Sequence, residues 1–334
     1  MTMPAVVLTA EREIAVQERP RPTLRPDQVI VEVDLCGICG SDLHAAQLPQ
    51  VYHGNCILGH ESTGHIVAVG EDVAGWDIGQ RVAVNPNGNV CGVCKFCLAG
   101  QPNFCRQATL ETALGLQADG ALAPEMSAYP SHLRSIPNGL GAREAAWVEP
   151  AATALRAVKR AGELRGRTVL VTGGGPIGQL ACRLAHLESP ERLLLMEPAS
   201  ERAQFAASSH ATLITADETD TADAGVDVVI ECSGSAAATA SALNMIGAGG
   251  TLVVVGAGPG SGLDSATILL KEIAVRGSYT YTDEFDDAID LLATGQLVVA
   301  DLTSVITPLA DALSAFDALR SGRIMKALIA PSHN

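Results

Sequence analysis

Thr168-Val-Leu-Val-Thr172-Gly-Gly-Gly175-Pro-Ile-Gly178 carries a short apolar run into three glycines and then opens a helical pattern reaching Leu187. Without a Cβ, Gly173 permits a tight turn, Gly175 lets the backbone approach a pyrophosphate, and Gly178 lets helix and strand pack closely. The helix that begins at Pro176 and Ile177 presents free N–H groups to phosphate. A glycine pattern alone is weak evidence, because a glycine-rich chain contains many turns. Here the next apolar run, Leu193-Leu-Leu-Met196, ends at Glu197, about 20 residues on, where an acidic side chain binds ribose hydroxyls. That carboxylate would repel a 2′-phosphate, so NAD is favoured over NADP. Arg202 has two readings, a solvated helix residue or a partner for such a phosphate.

Outward from this turn, residues 151–283 alternate strand and helix. Val226-Asp-Val-Val-Ile230 and Thr251-Leu-Val-Val-Val255 are apolar runs suited to a sheet covered on both faces. The pattern predicts an α/β domain, a doubly wound parallel sheet of the Rossmann type. Residues 1–150 have a different texture, with an alternating run at Val29-Ile-Val-Glu-Val-Asp34, further runs at Ile66 and Arg81, and long Gly/Pro loops. They read as mainly β. Past Asp283 come a helix with Phe285, Ile289 and Leu292 on one face, another from Ala310 to Arg320, and a strand at Ala327 to Ala330. Periodicity alone does not assign residues 284–334 to either domain.

Composition excludes several partners. Lys plus Arg number 22 against 37 Asp plus Glu, a net charge of −15, with no basic run that could displace counterions from nucleic acid or favour an anionic membrane. At 47% hydrophobic and 18% charged residues, the chain is globular. Its first residues lack a basic segment, and Glu11 and Glu13 interrupt the apolar stretch, so a cytoplasmic location is expected. The longest apolar runs have strand length, too short to span a bilayer.

Nine cysteines are present, four of them in Cys91-x2-Cys94-x2-Cys97-x7-Cys105. Four clustered thiolates can close a tetrahedral shell around zinc and leave no place for water, which marks a structural site. An iron–sulfur cluster is the competing reading. It ranks lower because a second candidate set mixes sulfur, imidazole and carboxylate: Cys39-Gly-Ser41-Asp-Leu-His44 and Gly59-His60-Glu61. Singly, each of these residues reads as core; together they suggest Cys39 and His60 around an open zinc site, with a carboxylate completing it. Cys36 ends an apolar strand and reads better as a buried thiol.

These motifs, with Val148-Glu-Pro150 and Glu231-Cys-Ser-Gly234, resemble the zinc-dependent medium-chain alcohol dehydrogenases, closest to the sorbitol, butanediol and threonine dehydrogenase type. The resemblance spans essentially the whole chain. It implies two zinc ions per chain, the catalytic one bound by Cys39 and His60 with Glu149 as third ligand, directly or through water. It implies that Glu61 is a neighbouring carboxylate able to exchange onto the metal and that Ser41 and His44 relay a proton. Thr153 would lie near the nicotinamide and Ile177 against its ring. It further implies that residues 284–334 return to a GroES-like catalytic domain formed by 1–150, with the active site in the cleft between domains. The implied reaction moves hydride between a secondary alcohol or vicinal diol, or the matching ketone, and NAD(H), in a homodimer or homotetramer.

Two segments depart from that pattern. Thr280 stands where polyol-specific relatives often carry arginine, which weakens a sorbitol-like assignment, and Ala121-Leu-Ala-Pro124-Glu places a proline in a strand edge. With 3% aromatics, few rings can line a cleft; Tyr52, Trp76, Phe96 and Trp147 are among them, and packing is the expected role for most. The alternatives are a biosynthetic NAD(P)H-dependent carbonyl or iminium reductase on the same scaffold and, more remotely, a non-catalytic NAD-binding protein. The metal-ligand set argues against the last, because packing alone does not require it.

Overall fold

Strand Thr168–Thr172, buried along almost all its length, sits inside a parallel sheet whose strands follow the order Thr212–Ile214, Arg192–Met196, Thr168–Thr172, Val226–Glu231, Ile246–Val254, Ala274–Gly277. The chain steps outward on one side of Thr168–Thr172 and then crosses back to start the other side at Val226. The point where the order reverses lies beside the glycine turn, the place where open α/β sheets bind ligands. Helix Pro176–Leu187 buries Leu180, Ala181 and Leu184, and helix Ala236–Met245 starts at Ser235, whose side chain accepts from the Ala238 N–H. Leu170, Leu194, Val229, Leu243 and Leu252 meet in the core. This is the α/β doubly wound architecture expected from the alternating pattern.

The structure is a computed structural model that describes residues 1–215, 225–258 and 262–332. The chain divides into two units, Pro150–Glu284, which holds the parallel sheet, and Met1–Glu149 with Phe285–Asn334. In the latter, strands Val305–Pro308, Ala327–Ala330, Val29–Gly37, Glu61–Val69, Arg81–Val84 and Leu133–Ser135 form one sheet in that order, with Glu125–Ala128 also on Val29–Gly37. A smaller sheet joins Ile14–Pro20, Thr2–Leu8 and Cys56–Ile57. Val31, Ile66, Val82, Leu122 and Phe316 form part of the shared core. The closing strand Ala327–Ala330 pairs antiparallel with Val29–Gly37 through Leu328 opposite Gly37 and Ile329 opposite Cys36. That pairing carries Lys326 to the end of the strand where the candidate metal donors lie.

Helix Val148–Ala161 begins earlier than the change in sequence texture at Ala151. Pro150 falls in its first turn, where backbone N–H groups have no intrahelical acceptor and proline costs little. Near the C-terminus, Leu309–Asp311 forms a single 3-10 turn before helix Ala312–Arg320. Among the described residues, no helix is long and apolar enough to cross a membrane.

Candidate active site

Register builds the site. Strand Val29–Gly37 pairs with Glu61–Val69 so that Gly37 lies opposite Glu61, which places His60 and Glu61 beside the turn that follows Gly37. In that turn Cys39 caps the short helix Gly40–Leu43, and its N–H donates to Asp42 Oδ2 at 2.9 Å. The donor atoms of Cys39, His60 and Glu61 all lie within 4.8 Å of one another. His60 and Glu61 are buried, at 7% and 1% exposure.

The surroundings of these donors are charged and ordered. Glu61 forms an ion pair with Lys326 Nζ, which also donates to the Ile38 carbonyl at 3.0 Å and lies 5.4 Å above the Trp147 ring. A Cβ on Gly37 would overlap the Glu61 carboxylate, so glycine makes room for the pair. Burial pulls the Lys326 pKa down, but Glu61, the Cys39 sulfur and Glu149 together outweigh it and the net shift is upward. His60 Nδ1 stands 3.4 Å from Asp42 Oδ1, near enough for attraction but without a hydrogen-bond partner. Burial lowers the His60 pKa, but Asp42 and the Cys39 sulfur together outweigh it, and the net shift is upward.

A thiol, an imidazole and a carboxylate fit zinc, whose ligands sit about 2.0–2.3 Å from the ion and so about 3.3–3.8 Å from one another in a tetrahedron. Donors this close need only small side-chain adjustments to bind a metal. Glu149, on the first turn of Val148–Ala161, is not in that three-donor cluster, although its charge contributes to the raised Lys326 pKa. Cys36 is fully buried, and burial pushes its thiol pKa up.

Of the two relay candidates, Ser41 Oγ lies 2.7 Å from Tyr52 Oη, and the exposed His44 ring bonds through Nδ1 to Gln47 Oε1 at 3.1 Å. The Ser41 hydroxyl is thus engaged by a tyrosine. Asp42, Tyr52 and Lys326 belong to this neighbourhood; sequence reasoning names Tyr52 only as one of the few rings available, most of them for packing, and names neither Asp42 nor Lys326. Asp42 lies inside the Cys39–His44 segment that carries the candidate ligand and relay. Lys326 is a lone cation directly before an apolar strand, a signal that could have been used.

In the cysteine loop, Cys94 Sγ and Cys97 Sγ lie 3.5 Å apart and Cys91 Sγ and Cys97 Sγ 3.9 Å, with Cys105 in the same cluster. Those spacings match the edge of a zinc–thiolate tetrahedron, about 3.8 Å for bonds near 2.3 Å, and are far longer than a disulfide bond of about 2.05 Å. Backbone N–H groups lower the Cys91 pKa, while desolvation pushes Cys97 up to about 12.

At the glycine turn, Gly173 holds φ of +87°, and a Cβ there would strike Ser233. A Cβ on Gly174 would meet the Glu197 side chain, and one on Gly178 would overlap the Gly173 carbonyl. Glu197 accepts from Gly174 N–H at 2.7 Å and Ala199 N–H at 2.8 Å, so its carboxylate is pinned to the turn. Gly175 caps Pro176–Leu187 without a side-chain cap, which leaves the helix N-terminus for a phosphate. Ile177 is half-buried on the first turn of that helix and Thr153 half-buried on Val148–Ala161. Arg202 Nη1 would lie 3.9 Å from a Cβ on Gly175. Thr280 has φ of +46°, uncommon for a β-branched residue.

The family model for an alcohol dehydrogenase GroES-like domain matches residues 25–138, and that for a zinc-binding dehydrogenase matches residues 176–294. Sorbitol dehydrogenase of Halalkalibacterium halodurans is 31% identical over 330 residues, covering 95% of this chain and 95% of its own. D-xylulose reductase A of Aspergillus oryzae is 31% identical over 350 residues, covering 97% and 95%. A structure from Sinorhizobium meliloti 1021, described as a zinc-binding dehydrogenase bound to NADP, matches with a TM-score of 0.90 and 31% identity, covering 99% of this chain and 100% of that one. Zinc and a nicotinamide cofactor therefore belong to its chemistry, and the chain is an oxidoreductase of the zinc-dependent medium-chain alcohol dehydrogenase family.

Proposed function

We propose that the chain oxidises a secondary alcohol or vicinal diol, and reduces the matching ketone, with NAD(H). The observation that carries this reading is the convergence of Cys39, His60 and Glu61 within 4.8 Å, two residues from the Ser41 hydroxyl. Polyol and diol substrates are suggested by the relatives' names, a sorbitol dehydrogenase and a D-xylulose reductase.

Bound zinc supplies a Lewis acid for the substrate oxygen, and the nicotinamide accepts or gives the hydride. Cys39 and His60 hold the metal, with Glu149 as third ligand directly or through water. Glu61, already paired with Lys326, is the carboxylate able to exchange onto it. Ser41 Oγ takes the hydroxyl proton as it gives up its own hydrogen, and the exposed His44 delivers that released proton to solvent. Cys91, Cys94, Cys97 and Cys105 hold a second, structural zinc. Gly173, Gly175 and Gly178 let the pyrophosphate approach the helix that starts at Pro176, Glu197 takes the ribose hydroxyls, Ile177 packs on the nicotinamide and Thr153 lies near it.

NAD is preferred because the Glu197 carboxylate is fixed at the turn by two N–H groups and would repel a 2′-phosphate. Arg202 is the group that would favour NADP. A homodimer or homotetramer is supported by apolar side chains left exposed on helix Ser265–Leu270, Leu269 at 75% and Leu270 at 82%, and on the edge strand Ala274–Gly277 that follows it, Val275 at 41%. Nine free cysteines suit a reducing cytoplasm.

The decisive experiment counts zinc per chain in wild type and Cys39→Ala while following oxidation of secondary alcohols and diols with NAD and NADP, and reduction of the ketones. Two zincs falling to about one, with activity lost, is expected. One zinc in both proteins, or activity that survives the substitution, overturns the catalytic assignment. Turnover confined to NADPH-dependent reduction would favour the biosynthetic reductase.

A further inference from the structure

Tyr52 is fully buried, and its hydroxyl sits between two groups of the site, Ser41 Oγ at 2.7 Å and Asp42 Oδ1 at 3.0 Å. Asp42 is itself fully buried, and its other oxygen accepts from the Cys39 N–H. A carboxylate only accepts, and a phenol has one hydrogen, so the Tyr52 hydrogen is committed to Asp42 and only lone pairs at Oη face Ser41. The Ser41 hydroxyl must then donate to Tyr52. The opposite arrangement would set the Tyr52 oxygen lone pairs against a buried carboxylate oxygen, which is unfavourable.

We propose that Tyr52 is a positioning residue that fixes the polarity of the Ser41 hydroxyl. With its single hydrogen turned toward Tyr52, Ser41 presents lone pairs to whatever binds beside Cys39. A serine that is to take a proton from a substrate hydroxyl is thereby oriented as an acceptor before the substrate arrives, and it turns its own hydrogen away from Tyr52 and releases it toward His44 as it takes that proton, Tyr52 keeping its hydrogen on Asp42. The tyrosine has little freedom to move: Arg12 donates from its guanidinium to the carbonyls of Ala45, Ala46 at 2.8 Å and Tyr52 at 3.3 Å, clamping both ends of the loop that carries the ring. The Tyr52 N–H closes the same loop onto the Leu48 carbonyl at 2.9 Å. The inference rests on the proposed role of Ser41 as first proton acceptor, but the orientation of the hydroxyls can be read without turnover.

The test uses the zinc-loaded protein with isotope-labelled tyrosine, which limits the spectrum to four residues. A slowly exchanging tyrosyl hydroxyl proton that disappears in Tyr52→Phe identifies the group. In Ser41→Ala that signal should persist, because its acceptor is Asp42; its loss would show that Tyr52 donates to Ser41 and would overturn the proposal. Should Tyr52→Phe not fold, the number of protected tyrosyl hydroxyl signals in Ser41→Ala against wild type decides the orientation in the same way. In kinetics, Tyr52→Phe should lower kcat for alcohol oxidation by about tenfold or more with KM within about twofold and zinc content unchanged. An unchanged kcat, or a rise in KM alone, overturns it. If wild type shows no zinc- and NAD-dependent turnover, the proposed function fails, while the hydroxyl signal still decides the orientation.

Discussion

Lys326 and Glu61 are 265 positions apart in the chain, and each side chain of the pair is 2% exposed. Removing one partner of a buried ion pair leaves a charge that neither water nor protein compensates, at a cost of about 3–5 kcal/mol. Lys326→Met, an unbranched side chain one atom shorter, should lower stability by that amount in urea unfolding. Adding Glu61→Gln should restore part of it, and a single variant within about 1 kcal/mol of wild type would contradict the pairing. His132 offers a pH-dependent counterpart. Burial lowers its pKa from 6.5 to about 4, so between those values the unfolded chain binds more protons than the folded one. Its contribution is therefore intact above about pH 6.5 and is lost as pH falls toward 4, by about 3 kcal/mol in all. Zinc release also weakens the protein in acid, so the informative quantity is a difference. Between pH 7 and pH 5 wild type should lose more stability than His132→Asn, and parallel losses would exclude His132 as the source. Lys326 escapes sequence reading because its partner is defined only by tertiary register, and Tyr52 because an irregular loop folds it back onto Ser41 and Asp42, whereas Cys39 and His60 stand in short segments whose residue types already suggest a metal.

At the scale of elements, the glycine turn is legible because every requirement on it is local. Strand, turn and helix are contiguous, and the atoms that exclude a Cβ at Gly178 belong to Gly173, five residues away. Gly178→Ala would drive a methyl group into that carbonyl, so a loss of about 1–3 kcal/mol is expected, with weaker NAD binding by calorimetric titration. Unchanged affinity and stability would mean that the helix can shift away from the strand. The parallel strands are legible for the same reason, as continuous apolar runs. The start of Val148–Ala161 is not, because the texture of the sequence changes at Ala151 while the helix uses Val148, Glu149 and Pro150 as its first turn. Nor does periodicity assign Ala327–Ala330, whose place is set by pairing with a strand formed about three hundred residues earlier in the chain.

Over the whole molecule, the candidate metal donors and the candidate nucleotide turn fall in different units. Both clusters of metal donors lie in the unit Met1–Glu149 with Phe285–Asn334, and the glycine turn lies in Pro150–Glu284. A zinc held by the four cysteines, as proposed, would contribute folding free energy directly, because four thiols packed together have little apolar surface to replace it. The cysteine loop illustrates this: Val93 is 78% exposed and Leu98 76%, so the loop has almost no core of its own. Hydrogen exchange should then respond in two separable ways. Chelation of zinc should speed exchange by about tenfold or more around Cys91–Cys105 and around Cys39 and His60, with strand Thr168–Thr172 unaffected. NAD should slow exchange at Gly173–Gly178 in both loaded and chelated protein, by mass action on the state that binds it. A uniform rise in exchange through Pro150–Glu284 on chelation would show instead that the parallel sheet depends on the metal-bearing unit for its stability.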